Sequence, residues 1–184
     1  MELIEIKPEE YNVQTDIVYA TDRNVTGKSI YKNGYCFLHT DAAAALKKAS
    51  EFANKIGYKI KIFDAFRPLE AQWALWNKFP DPEFVSDPQN GVTPHCRGIA
   101  VDMTLVDANL KELDMGTEFD AFTPLSHHGN QEVSIEAQKN RYMLMGIMIA
   151  SGWKHNPNEW WHYQLPFHEK YKKYTDIEAK TCII

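Results

Sequence analysis

Apolar and polar positions alternate along this chain with two different periods, and the switches between them mark its elements. From Thr40 to Gly57, TDAAAALKKASEFANKIG sets Leu46, Ala49, Ala53 and Ile56 on one face at helical spacing. Thr40 or Asp41 can cap the start of that helix and Gly57 can end it. YKIKIFD then takes the two-residue period of a half-buried strand, with Tyr58, Ile60 and Ile62 against Lys59 and Lys61. Pro68 suits a first helical position, and PLEAQWALWNKF puts Leu69, Trp73 and Trp76 on one stripe, read as core. In IAVDMTLVD, Ile99, Val101, Met103 and Leu105 are expected to face the core, with Ala100, Asp102 and Thr104 on the other side of the strand. A long helix runs from about Ser134 to Ser151 and ends at Gly152; the aromatic EWWHYQL reads as a short strand. Residues 80–94 and 107–130 are rich in turn formers, and long loops in compact domains are often functional. Helices and strands mixed without a βαβ rhythm predict an α+β fold, one domain over residues 1–184, with helices packed on a central antiparallel sheet.

Composition narrows the class. A chain of 184 residues buries roughly 70% of its unfolded surface and needs neither disulfide nor metal merely to fold. A formal net charge of −5 argues against nucleic acid or an anionic membrane as partner. The most apolar run, MLMGIMIA, falls far short of the ~20 residues that span a bilayer. The opening MELIEIKPEE lacks the apolar core of a signal peptide, so a native start at Met1 predicts a cytoplasmic protein; a removed leader would place it in the periplasm. Cys36, Cys96 and Cys182 are few and odd in number, which fits reduced thiols. The NVT at Asn24 reads as a turn.

Three stretches carry candidate chemistry. TPHCRGIAVD sets His95 and Asp102 seven apart, and Gly98 between them permits the turn that would fold His95 back over the aspartate. Taken alone, the stretch fits an exposed histidine and a turn-capping aspartate equally well. EWWH sets Glu159 and His162 in an aromatic setting, where a buried carboxylate needs a partner; an exposed glutamate and a core histidine are the plainer alternative. DAFRP ends a strand with Arg67, either a surface residue or a fixed positive charge aimed at an anion and steadied by Asp64. His127 and His128 are adjacent and read as structural, and Cys96 as a packed thiol.

Thr93, His95, Gly98, Ala100 and Asp102 meet [Ser/Thr]-x-His-x-x-Gly-x-Ala-x-Asp, and Glu159, Trp161 and His162 meet Glu-x-Trp-His. With DAFRP, YATDRNVTG and MGTEFD…SHH, these motifs resemble the zinc D-alanyl-D-alanine dipeptidases of the vancomycin-resistance type, from about Tyr19 to Leu165. The resemblance implies one Zn²⁺ per chain, held by His95, Asp102 and His162 at the sheet, with Glu159 as general base. It further implies Arg67 as oxyanion stabiliser with Asp64 behind it, Asp120 as partner of the substrate ammonium, and Thr93 and Tyr19 as substrate contacts. Many relatives carry serine where Thr93 stands, which bears on fine substrate preference. The implied reaction is hydrolysis of free D-Ala-D-Ala, a small-molecule substrate; oligomeric state is not legible. Two rivals remain: a murein carboxypeptidase or endopeptidase acting on stem peptides, and a zinc-binding module without catalysis.

Overall fold

The structure, a computed structural model, describes residues 2–184, so Met1, on which the expected native start rests, lies outside it. In chain order the elements are β1 (Leu3–Glu5), α1 (Pro8–Tyr11), β2 (Gln14–Thr15), β3 (Phe37–His39), α2 (Thr40–Lys55), β4 (Lys59–Asp64), α3 (Leu69–Lys78), β5 (Ala100–Val106), α4 (Ile135–Ala150), β6 (Lys154–Asn156), β7 (Glu159–Gln164) and α5 (Asp176–Ala179). The fold is α+β, on a sheet of order β2-β4-β5-β7-β6. One correction applies to the antiparallel expectation: β2 pairs with β4 in parallel, while the other ladders are antiparallel. A second, two-stranded sheet joins β1 to β3.

The core explains which periodicities held. Leu46, Ala49 and Ala53 of α2 are fully buried, and α2 packs against both α4 and β4. Ser134 caps α4 by accepting from the Ala137 N–H, and Gly152, at φ +98°, follows its last turn. The expected caps of α2 were displaced by one residue: the His39 ring accepts from the Asp41 N–H, because β3 runs directly into the helix and places His39 at its start. Ile56 is exposed, since the helix ends before it and Gly57 turns the chain away. The stripe of α3 is Ala71, Gln72 and Leu75. Trp73 is exposed and Trp76 half-buried, because Pro68 stands one place before the helix and the packed face is rotated from the one the tryptophans suggested. Among the described residues, no helix is long and apolar enough to cross a membrane.

Two irregularities in the sheet decide what faces the site. Between β4 and β5 the register shifts, with Ile62 opposite Met103 and then Asp64 opposite Asp102. In a regular ladder Asp64 would share the core face with Ile60 and Ile62; the extra residue, Phe63, turns it to the face of Asp102. Directly across β5, Asp102 pairs with His162 of β7, so three polar side chains stand in a row on neighbouring strands. The other irregularity is a slip between β6 and β7 near Asn156, which brings Glu159 to the same side although it lies three residues before His162.

Gly98 is the pivot that returns the chain from a short 3₁₀ turn, His95–Arg97, into β5. It sits at φ +66°, and a Cβ there would meet the Leu3 side chain and lie 2.9 Å from the His39 backbone nitrogen. Left-handed strain costs roughly 1–2 kcal/mol and the backbone clash adds to it. Gly98→Ala is therefore expected to destabilise by about 2 kcal/mol or more, read as a melting-temperature drop of roughly 4–8 °C for a chain of this size. An unchanged melting curve would show that the pivot tolerates a side chain.

Candidate active site

His95, Asp102 and His162 are buried and offer one donor atom each, all within 4.8 Å of one another. His95 Nε2 lies 3.1 Å from His162 Nδ1, His162 Nδ1 lies 3.0 Å from Asp102 Oδ1, and His95 Nε2 lies 3.3 Å from Asp102 Oδ2. The tautomers follow from the outer partners. His95 Nδ1 is 2.7 Å from the Ala65 carbonyl oxygen, which can only accept, so this nitrogen carries the proton and Nε2 presents a lone pair. Likewise His162 Nε2 donates to Gln164 Oε1 at 3.1 Å, leaving the Nδ1 lone pair inward. Two lone pairs and a carboxylate converging this closely repel one another unless a cation lies among them. A tetrahedral ion with bonds of about 2.0–2.2 Å sets its donors roughly 3.3–3.6 Å apart, close to the spacing found, and the mixed N/O donor set suits zinc. The donor set therefore fits a divalent metal.

Around this cluster stand the other polar groups of a cavity of about 200 Å³, lined among others by Tyr19, Arg67, Asp120, Asn156 and Glu159. Glu159 Oε2 is 3.8 Å from His162 Nδ1 and accepts from Asn156 Nδ2 at 2.7 Å. Burial pushes the Glu159 carboxyl up to about 7, with the Asp102 charge adding to the rise and His162, Asn156 and Arg67 opposing it. Arg67 is fixed from several sides. Its Nε donates to Asp64 Oδ2 at 2.9 Å, Nη2 lies 2.8 Å from the same oxygen, and Nη1 donates to Gln72 Oε1 at 3.1 Å. The guanidinium also lies over the Tyr19 ring, 4.8 Å from its centroid. Asp64 accepts at its other oxygen from the Tyr31 hydroxyl at 2.9 Å.

Asp120 receives the Tyr19 hydroxyl at 2.7 Å and has a left-handed backbone, φ 58°. Burial holds its carboxyl well above the usual range, and the Asp102 and Glu159 charges push the same way. Asp102 behaves oppositely: burial alone would raise it, but the His95 and His162 partners hold it below the usual carboxylate range. Asp64, Asp102, Asp120 and Glu159 thus gather around Arg67, and the region is short of positive charge.

Thr93 and Asp64 stand behind the cavity wall and do not line it. Thr93 is buried at φ 44°, and its hydroxyl has no hydrogen-bond partner among the described residues. Away from the cluster, His128 is pushed down to about 4, chiefly by burial, and its ring meets His155 edge-on; His127 lies 3.2 Å from Glu83. The Cys96 thiol is wholly buried and pushed up to about 12.

Sequence reasoning missed several members of this region. Asn156, three residues before Glu159 in NPNEWWH, could have been found from that proximity. Gln72 was hidden in an apparently apolar helical stripe. Arg141 carried no signal: from α4 it donates to the carbonyls of Met115, Leu125 and His127 and so ties down the segment that bears Asp120.

A peptidase family model described as D-ala-D-ala dipeptidase matches residues 2–180. A D-alanyl-D-alanine dipeptidase of Escherichia coli (strain K12) is 40% identical over 165 residues, covering 90% of this chain and 85% of the relative. Another from Enterococcus faecium is 32% identical over 190 residues, covering 92% and 94%. A third, from Streptomyces coelicolor, is 33% identical over 175 residues, covering 83% and 86%.

Proposed function

The chain belongs to the D-Ala-D-Ala dipeptidase family of peptidases, and on that premise we propose that it hydrolyses free D-Ala-D-Ala to two D-alanines, using one Zn²⁺ held by His95, Asp102 and His162. The observation that carries this reading is the convergence of the donor atoms, Glu159 and Arg67 on one small cavity. When bound, the ion would supply Lewis-acid polarisation of the scissile carbonyl and lower the pKa of water beside it. Glu159 takes the proton of the attacking water and hands it to the departing amine, help typically worth ~10²–10⁴ in rate. Arg67, already aimed by Asp64 and with Nη2 also 3.5 Å from Asp102 Oδ2, pairs with the developing oxyanion through the Nη1 N–H that its protein partners leave free. Asp120, steadied by Tyr19, receives the α-ammonium of the substrate, and Thr93 shapes the wall from behind.

The cavity favours a dipeptide over a stem peptide. Sites for drug-sized ligands run roughly 300–1,000 Å³, and this one is about 200 Å³. A module without catalysis has no use for a buried carboxylate and a clamped guanidinium, both of which are costly to bury.

The test is release of D-alanine from D-Ala-D-Ala by zinc-loaded protein, compared with its N-acetylated analogue. Wild type is expected to prefer the free dipeptide strongly. Asp120→Asn is expected to lower kcat/KM for the free dipeptide by about 10- to 100-fold, the worth of a charged hydrogen-bond partner, and to narrow that preference. Equal loss on both substrates would sink the assignment of Asp120 to the ammonium.

A further inference from the structure

We propose that Gln72 is a positioning residue that aims Arg67 and couples it to the loop walling the substrate cavity; this rests on the oxyanion role of Arg67 given above. Gln72 stands on the packed stripe of α3 between Ala71 and Leu75, and it is only 2% exposed. An apolar residue would serve packing there, whereas a buried amide is costly unless both ends are bonded. Both ends are. Its Oε1 accepts from Arg67 Nη1 at 3.1 Å, and its Nε2 donates to the Ser86 carbonyl at 2.7 Å.

Ser86 belongs to the 80–94 loop, whose Glu83, Phe84 and Val85 also line the cavity. The Ser86 hydroxyl in turn accepts from the Thr93 N–H at 3.1 Å, two residues before His95. A single amide therefore links the guanidinium on one side to the loop on the other. Asp64 fixes one edge of the Arg67 fork and Gln72 the opposite terminal nitrogen. Nη2 is also 3.5 Å from Asp102 Oδ2, so Nη1 is the terminal nitrogen whose direction depends on Gln72, and without that partner its N–H groups lose their aim.

The experiment is a double-mutant cycle on the zinc-loaded enzyme with D-Ala-D-Ala, joining Gln72→Met, which is close in shape but makes neither hydrogen bond, to Arg67→Lys. Gln72→Met is expected to lower kcat by about 10- to 100-fold with KM and zinc content little changed and a melting temperature lower by only a few degrees, the cost of the two lost hydrogen bonds. In the Arg67→Lys background the same replacement is expected to cost less than about twofold, because there is no fork left to aim. Gln72→Glu keeps the acceptor for Arg67 and is expected to recover part of kcat. Undiminished cost in the Arg67→Lys background, or no recovery with glutamate, overturns the proposal alone. If Arg67→Lys itself leaves kcat unaltered, the oxyanion role of Arg67 fails, and this proposal fails with it.

Discussion

Glu159→Gln is expected to lower kcat on D-Ala-D-Ala by about 10²–10⁴-fold while the protein still binds zinc, because the amide keeps the shape of the side chain but cannot accept the proton of the attacking water. The geometry isolates this effect. Glu159 is buried, its Oε2 is held by Asn156 and lies 3.8 Å from His162 Nδ1 without a hydrogen bond to it, so replacing it is expected to leave the metal ligands in place. Activity, metal content by atomic absorption and the melting curve together check the prediction. A glutamine variant with wild-type turnover would remove Glu159 from the reaction.

A pH dependence follows from the same residue. Burial raises the Glu159 carboxyl to about 7, and only its ionised form can accept a proton. As pH falls through that value the base becomes protonated and kcat/KM declines. A bound dication stabilises the carboxylate and moves this acid limb lower, so the limb is expected at or below about pH 7. It should disappear in Glu159→Gln, leaving a low and flatter profile.

His162→Ala, or a chelator applied to the wild type, is expected to abolish turnover to the limit of detection, a loss of at least about 10³-fold. His162 lies within 3.1 Å of both other donors and stands directly opposite Asp102 in the β5–β7 ladder. Its removal leaves two donors, too few to hold a catalytic zinc at assay concentrations. The same cluster couples metal to stability. An ion bound only by the folded chain adds about 2.7 kcal/mol at a concentration one hundred times its Kd. Zinc should therefore raise the melting temperature of the wild type and leave that of His162→Ala unmoved. Turnover that survives exhaustive chelation would refute metal dependence, and a zinc-induced melting shift retained by His162→Ala would place the ion elsewhere.

Much of the fold was legible because local chemistry agreed with tertiary packing. The α4 helix begins at the expected serine cap and ends before the expected glycine, and β5 runs where the apolar alternation placed it. Legibility failed where packing overrode a local pattern. Trp73 and Ile56 carry helical spacing but lie exposed, since the stripe that packs is chosen by neighbouring elements and not by the largest side chain. The short β1, β2 and β3 strands carry too few residues for a period to show.

Residue chemistry by itself singled out His95, Asp102, Glu159, His162 and Arg67 as candidates, with Gly98 permitting the turn between the first two, while Asp120 entered only through the resemblance to the dipeptidases. Those choices are visible because imidazole, carboxylate and guanidinium are chemically distinct, and Gly98 answers a local backbone need, a positive φ. The tertiary structure decided which of these groups meet. Asp64 reaches the site face only through the bulge at Phe63, Glu159 only through the slip beside Asn156, and Arg67 is aimed by Asp64 and by Gln72, the latter tied to a separate loop. Strand register and loop closure are set by pairing between segments distant in sequence, so no window along the chain contains the forces that fix them.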